Sequence, residues 1–151
     1  MFYRTYQPED FAQLYALEEL CFDPPHRFSR RYMRSLVSRD HSATWIALEE
    51  QRLTGFAIVV WAQRKAGITA YIQTIEVAPD ARGTGVGREL LRRLEASASA
   101  AGAVRIWLHV EAKNAAAIHL YERQGYQCQG RQENYYPEGR AALLYAKTLS
   151  L

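Results

Sequence analysis

Gly83-Thr84-Gly85-Val86-Gly87 lies between an apolar run, Ala70 to Val77, and an amphipathic run, Val86 to Ala98. The first reads as a strand and the second as a helix. A glycine-rich turn at a helix start leaves backbone N–H groups without partners, and the helix dipole adds partial positive charge there. Together these suit an anion, usually a phosphate. Spacing narrows the choice. A dinucleotide turn needs its third glycine where Arg88 stands, and a P-loop needs a Gly-Lys-Ser/Thr that is absent. The same glycines also suit a plain strand-to-helix turn that requires positive φ.

A second group of chemically capable side chains lies downstream. Ala103 to Val110 alternates, with Val104, Ile106, Leu108 and Val110 on one face and Arg105, Trp107 and His109 on the other. Asn114 and Tyr121 are two helical turns apart, so they share a face with Ala117 and Ile118.

The remaining elements must hold these residues. Phe2 to Tyr6 reads as a first strand. Glu9 to Cys21 reads as a helix with Phe11, Leu14, Leu17 and Leu20 on its apolar side. Asp23-Pro24-Pro25 breaks the chain, and Ser29 caps a second helix running to about Ser38. Strands are expected at Thr44 to Glu49, Gly55 to Ala62 and, after a loop around Gly67, Ala70 to Val77. The alanine-rich stretch Ala96 to Ala103 continues the helix begun at Val86, and Gly102 stops it. A last helix from Asn114 to Gly125 precedes strands at Tyr126 to Arg131 and Ala141 to Leu149, joined by a polar loop through Asn134-Tyr135-Tyr136-Pro137. This order is α+β, with a mixed sheet.

The 151 residues suit one domain, spanning 1–151. Apolar content of 48% and charged content of 23% are those of an ordinary globular chain. A net charge of +3 is too mild to argue for nucleic acid. Arg30, Arg31, Arg34 and Arg39 read as a solvated helix face. Cys21 and Cys128 form no metal or redox spacing, so no metal is expected. The polar N-terminus and the lack of a long apolar run imply a cytoplasmic, soluble protein that does not enter a membrane.

Arg82-Gly83-Thr84-Gly85-Val86-Gly87 resembles the pyrophosphate loop of the GNAT acetyltransferases, Q/R-x-x-G-x-G/A, with Arg82 in first place. Leu108-His109-Val110-Glu111-Ala112-Lys113-Asn114 and the helix through Tyr121 to Gly125-Tyr126 resemble the family's second block, N-x-x-A-x-x-x-Y-x-x-x-G-F/Y. With Asn134-Tyr135-Tyr136-Pro137, they resemble the N-terminal protein acetyltransferases, nearest to the ribosomal-protein alanine branch. The likeness is close over residues 70 to 137 and follows element order elsewhere.

The resemblance implies a GNAT fold with a mostly antiparallel sheet, and acetyl-CoA as co-substrate. It places Ile75, Glu76 and Val77 beside the pantetheine arm. Gly83, Thr84, Gly85, Val86, Gly87 and Arg88 would lie around the pyrophosphate, with charge from Arg82 and Arg88. Asn114 would contact the cofactor, and the Tyr121 hydroxyl would sit near its sulfur as general acid. The chemistry is direct attack of a neutral amine on a thioester, which expels a thiolate. A base is also required. The ribosomal-protein branch has glutamate where this chain has His109. Histidine accepts a proton near neutrality. Glu76, Glu111 and a Tyr71-assisted water stay open as alternatives. Phe28, Tyr71, Tyr135 and Tyr136 would meet the acceptor. The expected acceptor is a protein or peptide N-terminal α-amine. A small amine or lysine on the same fold, and a non-catalytic acyl-CoA-binding module, stay open. No role is assigned to His26, His41 or His119, and the oligomeric state is not indicated.

Overall fold

The periodicities resolve into a central sheet with two helices on each face. The computed structural model describes residues 1–149. In chain order the elements are β1 (Phe2–Thr5), α1 (Phe11–Cys21), α2 (Arg30–Val37), β2 (Ser42–Glu49), β3 (Arg52–Arg64), β4 (Gly67–Val77), α3 (Val86–Ala100), β5 (Ala103–Glu111), α4 (Ala115–Arg123), β6 (Gln127–Tyr136) and β7 (Arg140–Thr148). Among the described residues the sheet has seven strands, ordered β1-β2-β3-β4-β5-β7-β6. Its neighbours are antiparallel except β4 and β5, which run parallel. This is the mixed, mostly antiparallel α+β fold expected.

Each face buries its own apolar layer. Leu90, Leu91, Leu94 and Ala98 of α3 pack on Ile72, Ile106 and Leu108. Phe11, Leu14 and Leu17 of α1 and Met33 and Leu36 of α2 pack on Ile46, Phe56 and Ile58. Each such side chain contributes about 1.5–3 kcal/mol when fully buried. Ser29 caps α2 as expected, its hydroxyl accepting from the Tyr32 N–H at 3.0 Å.

Three local readings change. Leu20 is 65% exposed, and Glu18 is buried in α1 alongside Leu17. β4 begins at Gly67 itself, in a tight hairpin with β3. β6 runs through Asn134-Tyr135-Tyr136 instead of giving way to a loop there. Its register jumps between Gln132 and Tyr136, and Asn134 takes φ 55°. The bulge keeps the strand paired while turning Tyr135 toward the sheet's centre.

One irregularity opens a cleft in the sheet. β4 pairs with β5 only from Ile68 to Tyr71. Gln73 is an extra residue between the Thr74–Ile58 and Ile72–Val59 pairs with β3. Such a bulge bends its strand. Beyond it, β4 and β5 separate, and the β4 edge from Ile72 to Val77 has no strand partner on that side.

Candidate active site

The glycine turn closes one end of the cleft. Gly83 and Gly85 have φ 76° and 91°, which non-glycine residues adopt only with strain. Gly85 caps α3 with no side-chain acceptor, and the first intrahelical bond is Glu89 N–H to Gly85 carbonyl. The backbone N–H groups of residues 83–88 therefore have no protein acceptor among the described residues. Val86 is buried, so its backbone alone is offered to a ligand. Arg88 is exposed, its guanidinium beside Gly85. Arg82 turns back: its Nε donates to the Val77 carbonyl at 2.9 Å, and Nη2 approaches Cys21 Sγ at 3.6 Å. It closes the end of β4 and does not extend over the loop. Ile75 and Val77 are half-buried at the free edge of β4.

Asn114 caps α4, its Oδ1 accepting from Ala117 N–H at 3.2 Å. Its side-chain amide hydrogens have no protein partner among the described residues. Two turns on, Tyr121 is buried with its ring edge-on to Tyr126 at 5.6 Å. The Tyr121 hydroxyl makes no hydrogen bond among the described residues, yet it is not sealed from solvent. Burial, with help from the nearby Tyr136 phenol, raises it above an ordinary tyrosine.

His109 lies at the centre of an aromatic group. Trp107 and Tyr71 face each other across the last β4–β5 pair, their rings 4.4 Å apart. Tyr71 Oη is 2.9 Å from His109 Nδ1. His109 Nε2 is 2.7 Å from Gln132 Oε1. With that oxygen as acceptor, Nε2 carries the hydrogen, and Nδ1 accepts from the Tyr71 hydroxyl. Tyr135 stacks on the imidazole at 4.2 Å and 15°, and Tyr136 stands edge-on to Tyr135 at 4.9 Å. Burial holds His109 below the ordinary histidine value, partly opposed by Gln132. Burial, then the Tyr135 phenol, raises Tyr71. The pair is therefore neutral at neutral pH, with its imidazole lone pair already engaged by a phenol.

The α1–α2 segment meets the turn that follows Tyr136. Phe28 packs beside Tyr32 at 5.3 Å, and its backbone is bonded at both ends by α1. His26 Nε2 meets Glu138 Oε1 at 2.7 Å, so this segment touches the turn between β6 and β7. Arg140 extends that rim, 3.7 Å from Glu138 and 3.6 Å from Glu111. Glu111 thus sits in an ion pair at the edge. Glu76 is placed apart from His109: its carboxyl is buried under α1, near Glu18. His119 is exposed, 3.4 Å from Arg123.

The structure thus gathers Tyr71, His109, Tyr135 and Tyr136, with Tyr121 near Tyr136, and sets Glu76 aside. The sequence reading did not single out Gln132, Trp107, Tyr32 or Glu18. The alternation of β5 already put Trp107 on the His109 face. Gln132 reaches His109 across β7, and no local spacing signals such a contact.

Residues 9–126 match the acetyltransferase (GNAT) family. The chain is 35% identical over 105 residues to the [ribosomal protein bS18]-alanine N-acetyltransferase of Salmonella typhimurium, covering 68% of each chain. It is 39% identical over 107 residues to streptothricin acetyltransferase of Streptomyces lavendulae, covering 68% of this chain but only 56% of that protein. It superposes on Arabidopsis thaliana NAA60 bound to a bisubstrate analogue with a TM-score of 0.87 at 21% identity, covering 97% of each chain. On the ribosomal-protein-S18-alanine N-acetyltransferase of Escherichia coli the TM-score is 0.84 at 25% identity, covering 99% of this chain and 94% of the other. The chain belongs to the GNAT acetyltransferase family.

Proposed function

We propose that the chain transfers the acetyl group of acetyl-CoA to the α-amine of a protein or peptide N-terminus, within a ternary complex. The observation that carries this reading is the Tyr71–His109 hydrogen bond, set at the point where β4 and β5 part. The residues fit acetyl-CoA. The unpartnered N–H groups of residues 83–88 suit its pyrophosphate, and the free β4 edge at Ile75, Glu76 and Val77 suits its amide-bearing arm. Arg88 and the Asn114 side-chain amide have hydrogens to offer along the same path.

Acetyl-CoA supplies the thioester; the chain supplies proton handling. A protonated amine entering between Phe28 and Tyr135 passes a proton to the Tyr71 oxygen as Tyr71 gives its own to His109 Nδ1. The freed nitrogen pair forms the N–C bond; as the C–S bond breaks, the nitrogen gives up its second proton to the departing sulfur, so the products are an amide and a free thiol. Tyr121 presents its O–H to the departing sulfur. Full transfer from a phenol with reference pKa about 10 to a thiolate of about 8.5 is uphill. The hydrogen bond itself, strengthening as charge collects on sulfur, carries the stabilisation.

The base also favours one acceptor class. A histidine held below its ordinary value takes a proton more readily from an α-amine, pKa about 7.7–8.0, than from lysine at about 10.4. The two curated relatives differ in acceptor by name, a ribosomal protein alanine and streptothricin. Acetylation of peptides varied in their first two residues, beside lysine side chains and small amines, tests the reading. Selective α-amine acetylation is expected. Turnover of small amines alone would replace the acceptor, and no turnover with acetyl-CoA bound would leave only a binding module.

A further inference from the structure

Glu18 of α1 and Glu76 of β4 are sealed between helix and sheet, 1% and 3% exposed. Each has one satisfied oxygen. Glu18 Oε2 accepts from the Phe28 N–H at 2.8 Å, and Glu76 Oε2 accepts from the Thr74 hydroxyl at 2.8 Å. The other oxygen of each is buried without a donor. The two carboxyl groups lie within hydrogen-bonding reach of one another. Two carboxylates only accept, so they cannot satisfy each other; one proton held between them does. Cys21 and Arg82 lie near the pair, and the Tyr15 hydroxyl is on the Phe28 carbonyl next to Glu18. Arg82 is committed to the Val77 carbonyl and the Cys21 sulfur, and supplies neither carboxyl with a hydrogen bond.

The pair bears on the acceptor wall. Phe28 is gripped twice by α1: its N–H by Glu18, and its carbonyl by the Tyr15 hydroxyl at 2.8 Å. Polar contacts therefore run without a break from Thr74, through Glu76 and Glu18, to Phe28. One end is the strand offered to the cofactor; the other is the wall offered to the acceptor.

We propose that Glu18 and Glu76 are positioning residues, a one-proton carboxyl pair that fixes Phe28 and so sets the pocket for the acceptor's first residue. The proposal rests on the acceptor reading above and adds its specificity element. Neither carboxyl touches the reacting atoms. Burial, reinforced by Glu18, holds the Glu76 carboxyl well above the usual range. Its folded value exceeds its unfolded value, so the stabilisation is complete below the unfolded pKa of about 4.3. It is lost as pH rises through the raised folded value. Beyond that point two facing carboxylates repel, and the grip on Phe28 loosens.

The test compares wild type with Glu18→Ala, Glu18→Gln and Glu76→Gln. It measures the KM for a peptide N-terminus and for acetyl-CoA from acid to alkaline pH, and amide exchange at Phe28 by NMR. Glu18→Ala should raise the peptide KM about tenfold by leaving the Phe28 N–H unpaired, with kcat and the acetyl-CoA KM within about twofold. Glu18→Gln should restore it, because an amide both accepts from Phe28 and donates to Glu76. The ratio of wild-type to Glu76→Gln peptide KM should climb with pH, the amine's own titration cancelling. The Phe28 protection factor, its exchange rate taken against the intrinsic rate at each pH, should fall over the same range in wild type alone. A flat ratio with a pH-independent Phe28 protection factor, or a Glu18→Ala effect confined to melting temperature, overturns the proposal. The exchange measurement needs no acceptor. If no peptide is acetylated, the acceptor reading fails while exchange still decides the grip on Phe28.

Discussion

At the residue, the decisive object is one imidazole with both nitrogens occupied. Gln132 takes the Nε2 hydrogen, and Tyr71 donates to Nδ1. As the proposed base, His109 must be neutral to work, so kcat/KM should rise with pH through its value and then level. Burial lowers that value, so the acid limb belongs below about 6.5. His109→Ala should cut kcat/KM by about 10²–10⁴ and erase the limb, the range typical of a positioned base. A pH–rate profile unchanged in shape would transfer the role to Tyr71 or Glu111. Tyr121→Phe removes only the hydroxyl that the proposed mechanism offers to sulfur. It should lower kcat by about 10²–10³ and leave acetyl-CoA affinity intact, checked by calorimetry beside turnover. His109 and Tyr121 were legible because strand alternation and a two-turn helical spacing are local. Glu18 was not. Leu20 satisfies a simple apolar pattern better, and only the packing of α1 on β4 buries the carboxylate instead.

Among the elements, the cleft depends on a strand that bends and a turn that only glycine makes easily. The Gly83–Gly87 turn was readable because glycine spacing reports backbone conformation directly. The bulge at Gln73 was not, since an extra residue in β4 is defined only by its pairing with β3. Asn134-Tyr135-Tyr136-Pro137 read as a loop because Asn and Pro usually end strands. The β6–β7 pairing resumes at Tyr136 and absorbs the irregularity as a bulge. Gly85→Ala tests the turn. A methyl group at φ 91° costs about 1–2 kcal/mol and moves the amides at the start of α3. A modest fall in melting temperature should accompany a larger loss of acetyl-CoA affinity. Unaltered affinity at lowered stability would make the turn a connector only.

Across the whole molecule, the sheet has a seam. β1 to β4 form one antiparallel block, and β5, β7 and β6 form another. The strands join them only where Ile68–Tyr71 meets Ala103–Trp107. A ligand lying along the free edge of β4 and ending at α3 ties that edge to the α3 turn and fills the gap toward β5. Binding to the folded state alone stabilises it by about 2.7 kcal/mol at a hundredfold excess over Kd. For a chain of 151 residues that is a rise in melting temperature of about 5–10 °C. The distribution of the effect is more telling than its size. Hydrogen exchange should slow at the outward-facing amides of Ile72–Val77 and in the first turn of α3 when acetyl-CoA binds, because those amides gain acceptors. β1 and β2, remote from the seam, should change little beyond the global stabilisation. Uniform protection across all seven strands would mean that the ligand binds somewhere other than the opening between β4 and β5.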